Sequence, residues 1–293
     1  MKYIITGSVG NISKPLAQQL VAAGHEVVVI SSNPERTSEI EALGAKAAIG
    51  SVLDVPFLTT TFKGADAVYL MIPPTWTPTD WPAHLKKVAD NYIEALSQSQ
   101  VKKVVQLSSI GAHLGHGAGP IDGLAYLEKQ LKTLAIDVLS LRPSYFYTNL
   151  YTMADLINHA GIMGSNFGSD NEKFVLVHPK DIADAAFEQL SKLDFKGHSH
   201  EYVSSDVRTY SEIAQAIGKA INKPDLPWVA FTDEQALQGM QQAGLAETIA
   251  QGYLQMGIGI REGKVQEDYF SSQSQPNGKV KLEDFAKEFV ANF

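Results

Sequence analysis

The first thirty residues constrain the fold of this chain more than any other stretch, because four segments follow one another there, with only Gly24 between the third and the fourth. In order, they predict a buried strand at 2–6, a tight glycine turn at 7–13, a helix at 14–23 and a second buried strand at 25–30. A strand, a helix and a strand joined in this way form the first βαβ unit of a doubly wound parallel sheet. The sequence therefore predicts an α/β fold.

The turn itself resembles a phosphate-binding loop. Gly7 and Gly10 lie three residues apart, and Ser13 stands where a third glycine is often found. Glycines let the backbone approach a ligand closely, and the helix that follows directs free N–H groups and the positive end of its dipole at the turn. The alternative is a glycine turn that binds nothing. We expect a dinucleotide pyrophosphate to lie on Gly7, Ser8, Gly10, Asn11 and Ile12.

Composition excludes several classes of protein. The formal net charge of the 293-residue chain is −8, whereas a nucleic-acid-binding surface needs clustered Lys and Arg. The chain has no cysteine, which excludes disulfides, thiolate nucleophiles and cysteine-ligated metals. No apolar run approaches the roughly 20 residues of a membrane span, and Met1 leads directly into the first strand, without room for a signal peptide. We expect a cytoplasmic protein that binds neither nucleic acid nor membrane; the sequence leaves its oligomeric state open.

The end of the second strand indicates which dinucleotide is bound. An NAD-specific site places an Asp or Glu there to hold the ribose 2′-hydroxyl. This chain has Ser32 and Asn33 instead, followed by Arg36, which could pair with a 2′-phosphate. We therefore predict NADP at these three residues, with NAD as the alternative cofactor. Glu35 weakens the case, and Arg36 could equally be a solvated residue at the start of the next helix.

A proline-bounded loop with two tryptophans follows the fourth predicted strand. The carboxyl end of a parallel strand faces the ligand in a sheet of this kind, so we expect Ile72 and Pro73 to contact the cofactor. Trp76 and Trp81 lie in the loop beyond, where binding residues are common. They would form an aromatic wall for a flat substrate; the alternative is that one or both pack on the following helix.

Further candidates follow the next two strands and the helix between them. Ser108 ends a strand and could hydrogen-bond the cofactor and a substrate carbonyl, and His113 lies in the glycine-rich loop beyond it as a candidate proton donor. Tyr126, on the helix, is the third candidate for catalysis. No metal site is expected at His113 and His116 of this loop, because no carboxylate or third histidine lies nearby in the sequence. After the strand at 136–141, Pro143 and Tyr145 are assigned to the cofactor, and Phe146 and Asn149 to the substrate.

Together these motifs resemble the NmrA-like family of atypical short-chain dehydrogenases, over nearly the whole chain. The segments that carry the resemblance are T-G-x-x-G-x-x-S from Thr6, G-A-D-A-V-Y-L from Gly64, V-x-x-x-S-S from Val104, L-R-P-x-x-F-x-x-N from Leu141 and H-P-x-D-I-A from His178. The resemblance implies an NAD(P)-binding Rossmann domain, assigned to 1–150, and a smaller, mostly helical part that covers the substrate cleft. That part, 151–293, is expected to return strands to the sheet near 174–177 and 201–203.

The resemblance leaves two functions open. Family members include NAD(P)H-dependent quinone oxidoreductases, triphenylmethane-dye reductases and non-catalytic redox sensors that regulate transcription. Standard short-chain dehydrogenases use Tyr-x-x-x-Lys, but here Gln130 stands four residues after Tyr126, and Lys129 three after it. We predict a reductase that passes a hydride from NAD(P)H to a small planar acceptor such as a quinone, without Tyr126 as general acid. The alternative is an NAD(P)-binding redox sensor.

Overall fold

A seven-stranded parallel sheet forms the centre of the molecule in the computed structural model, which describes residues 1–76, 78–291 and 293. The strands, numbered in chain order, are β1 (Lys2–Ile5), β2 (Glu26–Ser31), β3 (Lys46–Ile49), β4 (Ala67–Leu70), β5 (Lys103–Leu107), β6 (Asp137–Pro143) and β10 (His198–Val203). Their order in the sheet is β10-β6-β5-β4-β1-β2-β3. The winding direction reverses between β1 and β4, which is the topological switch point where such sheets bind ligands. The predicted doubly wound α/β fold is confirmed.

Helices cover both faces of this sheet. On one face lie α1 (Ser13–Ala22), α2 (Thr37–Ala42) and α7 (Pro179–Lys192); on the other lie α3 (Val55–Phe62), α4 (Trp81–Ser99) and α5 (Pro120–Leu131). Side chains alternate along the buried strands, so that Tyr3 and Ile5 pack on the first face and Ile4 on the second. Burial on both faces explains why the strands are almost continuously apolar. No helix in the described part of the chain is both long and apolar enough to cross a membrane.

The residues after β6 build most of a smaller part with its own core, in which Phe174, Tyr210 and Phe285 are buried. Its elements, with β10 and α7 already placed, are β7 (Tyr145–Phe146), α6 (Ala154–Ala160), β8 (Met163–Ser165), β9 (Lys173–Val177), β11 (Asp206–Thr209), α8 (Tyr210–Ala220), β12 (Trp228–Ala230), α9 (Asp233–Gln242), α10 (Glu247–Arg261), α11 (Lys264–Ser271) and α12 (Leu282–Ala291). Short 3-10 helices occur at Pro34–Arg36, Ala112–Leu114 and Tyr147–Met153.

The two strands expected to return to the main sheet differ in their partners. β10 does return, pairing in parallel with β6 from His198 to Val203. The expectation for 174–177 is wrong, because β9 lies in a separate three-stranded sheet between β11 and β7. β10 occupies the edge of the main sheet beside β6, so β9 pairs instead with β7, which follows β6 almost directly.

Candidate active site

The glycine turn between β1 and α1 presents free donors beside open space. Gly7 has a φ of +92°, and a Cβ added there would lie 2.1 Å from Met71 Sδ, so the turn requires glycine at this position. Within the described residues, no acceptor takes the backbone N–H groups of Asn11 and Ile12. A Cβ added at Gly10 would meet only the Gly7 carbonyl oxygen within 4 Å, at 3.2 Å. The beginning of the ten-residue helix α1 is therefore suited to an anionic group.

Two serines fasten this turn to its neighbours. Ser13 is buried, and its Oγ donates to the Thr6 carbonyl oxygen at 2.8 Å, so serine fits the third glycine position. Ser8 has a φ of +55°, and its Oγ donates to Ser31 Oγ at 2.9 Å. Ser31 was not selected from the sequence. It is the buried member of the Ser31–Ser32 pair, and it connects the turn to the end of β2.

Beyond β2, two cations share one carboxylate. Arg36 Nη1 lies 2.5 Å from Glu39 Oε2, and Lys14 Nζ lies 2.8 Å from Glu39 Oε1. Asn33 Oδ1 accepts from the Glu35 N–H at 2.9 Å and so caps the 3-10 helix. Lys14 and Glu39 were not selected from the sequence, because they lie on different helices. Ser32, the remaining predicted residue of this segment, is exposed.

A buried ion pair holds the end of β5. Ser108 Oγ donates to Glu128 Oε1 at 2.5 Å, while Arg142 donates to the same carboxylate from Nε at 3.0 Å and from Nη2 at 2.8 Å. Burial alone would lower the pKa of Arg142, but its bonds to Glu128 raise it overall. Because the single proton of Ser108 is engaged by Glu128, this hydroxyl can accept a hydrogen bond from a ligand but does not donate one in this arrangement.

Asp268 and His113 lie beside this ion pair. Arg142 Nη1 reaches Asp268 Oδ2 at 3.3 Å, and the Tyr202 hydroxyl also donates to that carboxylate. The bond from Tyr202 lowers the pKa of Asp268, and the nearby His113 lowers it further. His113 itself is exposed. Within the described residues, no group of three His, Asp or Glu side chains could hold a metal ion.

The two tryptophans pack on Tyr253, a residue that no sequence motif indicates. Tyr253, on α10, stacks on Trp76 with ring centroids 6.1 Å apart and on Trp81 at 5.5 Å. The sequence placed Trp81 in the loop, but it is the first residue of α4 and is buried, whereas Trp76 is 57% exposed. A Cβ on Gly252 would lie 2.8 Å from Trp81 Cζ3, which shows how closely α10 approaches the beginning of α4.

Tyr145 and Tyr253 supply two partly buried phenols. The Tyr145 ring lies edge-on to Phe167 at 5.5 Å. Burial raises the pKa of Tyr145, and the neighbouring Tyr253 raises it further; burial also raises the pKa of Tyr253. In the part of the chain that the structure describes, neither hydroxyl has a hydrogen-bond partner. Both phenols therefore stay protonated near neutral pH and are free to donate to a ligand.

The remaining predicted residues are divided between core and surface. Ile72 and Pro143 are buried, Pro73 is partly buried, and Asn149 is exposed. Phe146 packs with the core beneath α1, on the side opposite to that of its neighbour Tyr145, which packs with the core of the smaller part. The structure thus groups Trp76, Trp81 and Tyr145 around Tyr253, but it does not bring Phe146 into that group.

The glycine turn lies at the start of a family match. A family model described as NAD(P)H-binding matches residues 7–193, nearly two thirds of the chain. The chain belongs to this NAD(P)H-binding family. The free N–H groups of Asn11 and Ile12 and the open position at Gly10 fit the pyrophosphate of the family's dinucleotide.

Individual relatives of this NAD(P)H-binding chain include reductases. The NAD(P)H azoreductase of Xenophilus azovorans is 24% identical over 247 residues, which are 84% of this chain and 83% of the relative. A solved structure of an Escherichia coli NADPH-dependent quinone oxidoreductase complexed with NADPH has a TM-score of 0.81 at 18% identity, covering 98% of this chain and 99% of that one. A solved structure of a Citrobacter sp. triphenylmethane reductase complexed with NADP(H) has a TM-score of 0.78 at 18% identity, covering 98% of this chain and 99% of that one.

NmrA, a negative transcriptional regulator, also shares the fold. Its TM-score is 0.72 at 15% identity, with coverage of 99% of this chain and 97% of that one. The NmrA-like resemblance stated from the motifs is thereby confirmed at the level of the fold, which the reductases and the regulator have in common.

Tyr126 of this NAD(P)H-binding chain is attached to a neighbouring helix. Its hydroxyl donates to Asp90 Oδ1 on α4 at 2.7 Å, and this bond raises its pKa. We expect Tyr126→Phe to change kcat by less than about threefold, whereas loss of a general acid lowers rates about 10²- to 10⁴-fold. Steady-state NADPH oxidation with a quinone measures this, with Tyr126→Ala as a check on packing. Loss of turnover in Tyr126→Phe, with cofactor binding intact, would contradict the expectation.

Proposed function

We propose that this chain is an NADPH-dependent reductase that transfers a hydride to a small planar acceptor such as a quinone or an azo compound. The observation that carries the proposal is a cluster of aromatic side chains, Trp76, Tyr253, Tyr145 and Phe167, built around segments that follow β4 and β6. The carboxyl ends of these strands lie at the same edge of the sheet as the glycine turn. A cofactor on the turn and a flat acceptor among the rings would therefore meet.

The nucleotide would lie along the carboxyl edge. Its pyrophosphate would accept from the free N–H groups of Asn11 and Ile12, and its adenosine ribose would lie near Ser32 and Asn33 at the end of β2. Arg36 provides a cation for a 2′-phosphate. Lys14 lies close to Arg36, because both side chains form ion pairs with Glu39. This placement supports NADP over NAD.

The acceptor would lie against the exposed face of Trp76. Planar rings stack favourably on tryptophan and tyrosine, and the Trp76–Tyr253 stack gives this wall a fixed orientation. Residues 151–293 would cover the cleft, since Tyr253 and Phe167 both come from that part. Asn149 and Phe146 remain proposed substrate contacts, although in this structure Phe146 packs on the other side of β7.

Bound NADPH supplies the hydride, and the chain has to orient the acceptor and meet the charge that develops on it. Hydride transfer to a quinone leaves negative charge on oxygen, and one proton then completes the reduction. The unpartnered hydroxyls of Tyr145 and Tyr253 can donate hydrogen bonds to that oxygen. Their raised pKa values make them hydrogen-bond donors rather than proton sources, so we propose that solvent supplies the proton.

We expect the purified protein to oxidise NADPH when a quinone or azo dye is added, followed by the loss of NADPH absorbance. Tyr253→Phe keeps the stacked ring but removes the hydroxyl, so kcat should fall about tenfold to a hundredfold, by analogy with the loss of one oxyanion donor. Trp76→Ala should mainly raise the KM for the acceptor. Phe270→Ala, which removes another exposed aromatic ring, on α11, is the matched control.

A redox sensor that does not turn over is the second candidate, favoured by the absence of Tyr-x-x-x-Lys and by the fold shared with NmrA. The same assay separates the two functions. A protein that binds NADPH in calorimetry yet oxidises it with no quinone, dye or aldehyde would be a sensor. We place either function in the cytoplasm, with a small molecule rather than a nucleic acid as the ligand.

A further inference from the structure

Glu39 forms ion pairs with two cations, Lys14 and Arg36, that could otherwise bind a phosphate group. Its Oε1 lies 2.8 Å from Lys14 Nζ, and its Oε2 lies 2.5 Å from Arg36 Nη1. Lys14 belongs to the first turn of α1, Arg36 ends the 3-10 helix after β2, and Glu39 lies on α2. One carboxylate therefore neutralises cations from the two elements between which the adenosine ribose is expected.

The ion pairs of Glu39 are exchangeable. The side chains of Lys14, Arg36 and Glu39 are 41%, 52% and 32% exposed, and ion pairs at such positions are weak and screened by salt. A 2′-phosphate carries more negative charge than a carboxylate and presents three acceptor oxygens. It can therefore take both cations from Glu39. The bonds from Lys14 and Arg36 lower the pKa of Glu39, which keeps it anionic.

We propose that Glu39 sets the preference between NADP and NAD by competing with the 2′-phosphate for Lys14 and Arg36. Glu39 is then a specificity-determining residue that acts through two cations, and Lys14 is a second phosphate ligand beside Arg36. Glu39 holds the pair in position when the phosphate is absent and opposes its binding by charge repulsion. This inference rests on the proposed preference for NADP.

A purely structural surface ion pair is the competing explanation, and the chain offers a matched control for it. Glu26 binds Lys46 at 2.9 Å, at the amino-terminal ends of β2 and β3. That is the edge of the sheet opposite to the nucleotide. Glu26→Gln and Glu39→Gln change the net charge of the protein equally, but only Glu39→Gln frees Lys14 and Arg36.

The experiment is isothermal titration calorimetry of the full chain, which measures its affinity for NADP⁺ and for NAD⁺ at low and high salt. Glu39→Gln should tighten NADP⁺ binding by about threefold to tenfold and leave NAD⁺ within about twofold of the parent affinity. The gain should shrink at high salt. Lys14→Met should weaken NADP⁺ but not NAD⁺, and Glu26→Gln should alter neither. Glu39→Ala, checked by thermal unfolding, provides a second variant.

Three results would overturn the inference. Unchanged NADP⁺ affinity in both Glu39 variants would show that the ion pairs of Glu39 are only structural. Weakened NAD⁺ binding would show that Glu39 holds the ribose hydroxyl directly. An equal gain in Glu26→Gln would indicate an effect of overall charge. The parent protein separates the two levels: if it binds NAD⁺ as tightly as NADP⁺, the proposed preference for NADP fails. If it prefers NADP⁺ but neither Glu39 variant changes the affinity, only the role of Glu39 is refuted.

Discussion

Arg142→Leu is expected to lower the free energy of unfolding by about 3–5 kcal/mol, because it leaves the buried Glu128 carboxylate without its partner. Arg142 and Glu128 are 7% and 8% exposed, and two hydrogen bonds join them. Water cannot replace those bonds at such burial, so the remaining charge is uncompensated. Denaturant-induced unfolding followed by circular dichroism measures the loss.

The double variant Glu128→Leu/Arg142→Leu is the decisive control for this prediction. It removes both charges, so it should be markedly more stable than Arg142→Leu alone, as found for buried pairs replaced by apolar side chains. A double variant no more stable than the single one would mean that the contacts to Asp268 and Tyr202, rather than the Glu128 pair, dominate the effect.

The same pair links stability to the carboxyl end of β5, beside which the acceptor is proposed to lie. Glu128 engages the Ser108 hydroxyl, and Arg142 reaches Asp268 on α11, so the network joins β5, α5, β6 and the smaller part of the chain. Its loss should therefore also disturb the position of Ser108. Ser108 is better described as a residue held by Glu128 than as the free donor that the sequence suggested.

Local signals explain why the first βαβ unit could be predicted. The turn needs glycine at position 7, where φ is +92°, and a small third residue, which Ser13 provides. Both requirements are satisfied within the first thirteen residues of the chain and leave a recognisable spacing. Asp54 similarly caps α3 by accepting from the Phe57 N–H at 3.0 Å, a role that is visible from its place before a helix.

Long-range pairings explain what could not be predicted. The strands at 174–177 and 201–203 are both short, and neither carries a local signal for its partner: β10 pairs with β6 in the main sheet, whereas β9 pairs with β7 and β11. Tyr253 lies in α10 with no motif around it, and its importance comes from its contact with Trp76, 177 residues earlier.

Buried Glu128 did leave a signal in the sequence. It shares a helical face with Leu124 and Leu131, at i, i+4 and i+7, and a charged residue that is buried on such a face requires a partner. Its partner Arg142 is fourteen residues away on the next strand. The pattern could have identified a buried charge, but the fold was needed to identify Arg142.

Gly10→Val is expected to weaken NADPH binding by at least about a hundredfold while the protein still folds. A Cβ at this position would meet only the Gly7 carbonyl oxygen, at 3.2 Å, so a branched side chain would extend into the space beside the free N–H groups of Asn11 and Ile12. A pyrophosphate displaced from that space loses charge-assisted hydrogen bonds that contribute about 1.5–3 kcal/mol each.

Gly7→Ala gives the contrasting result that makes the Gly10 prediction specific. At Gly7 the left-handed backbone and a Cβ 2.1 Å from Met71 Sδ strain the folded state itself, so this variant should lose thermal stability. Calorimetric titration with NADPH and thermal unfolding of both variants separate the two effects. If Gly10→Val binds NADPH with the parent's affinity, the pyrophosphate does not lie on this turn, since a valine side chain and a phosphate group cannot occupy the same space.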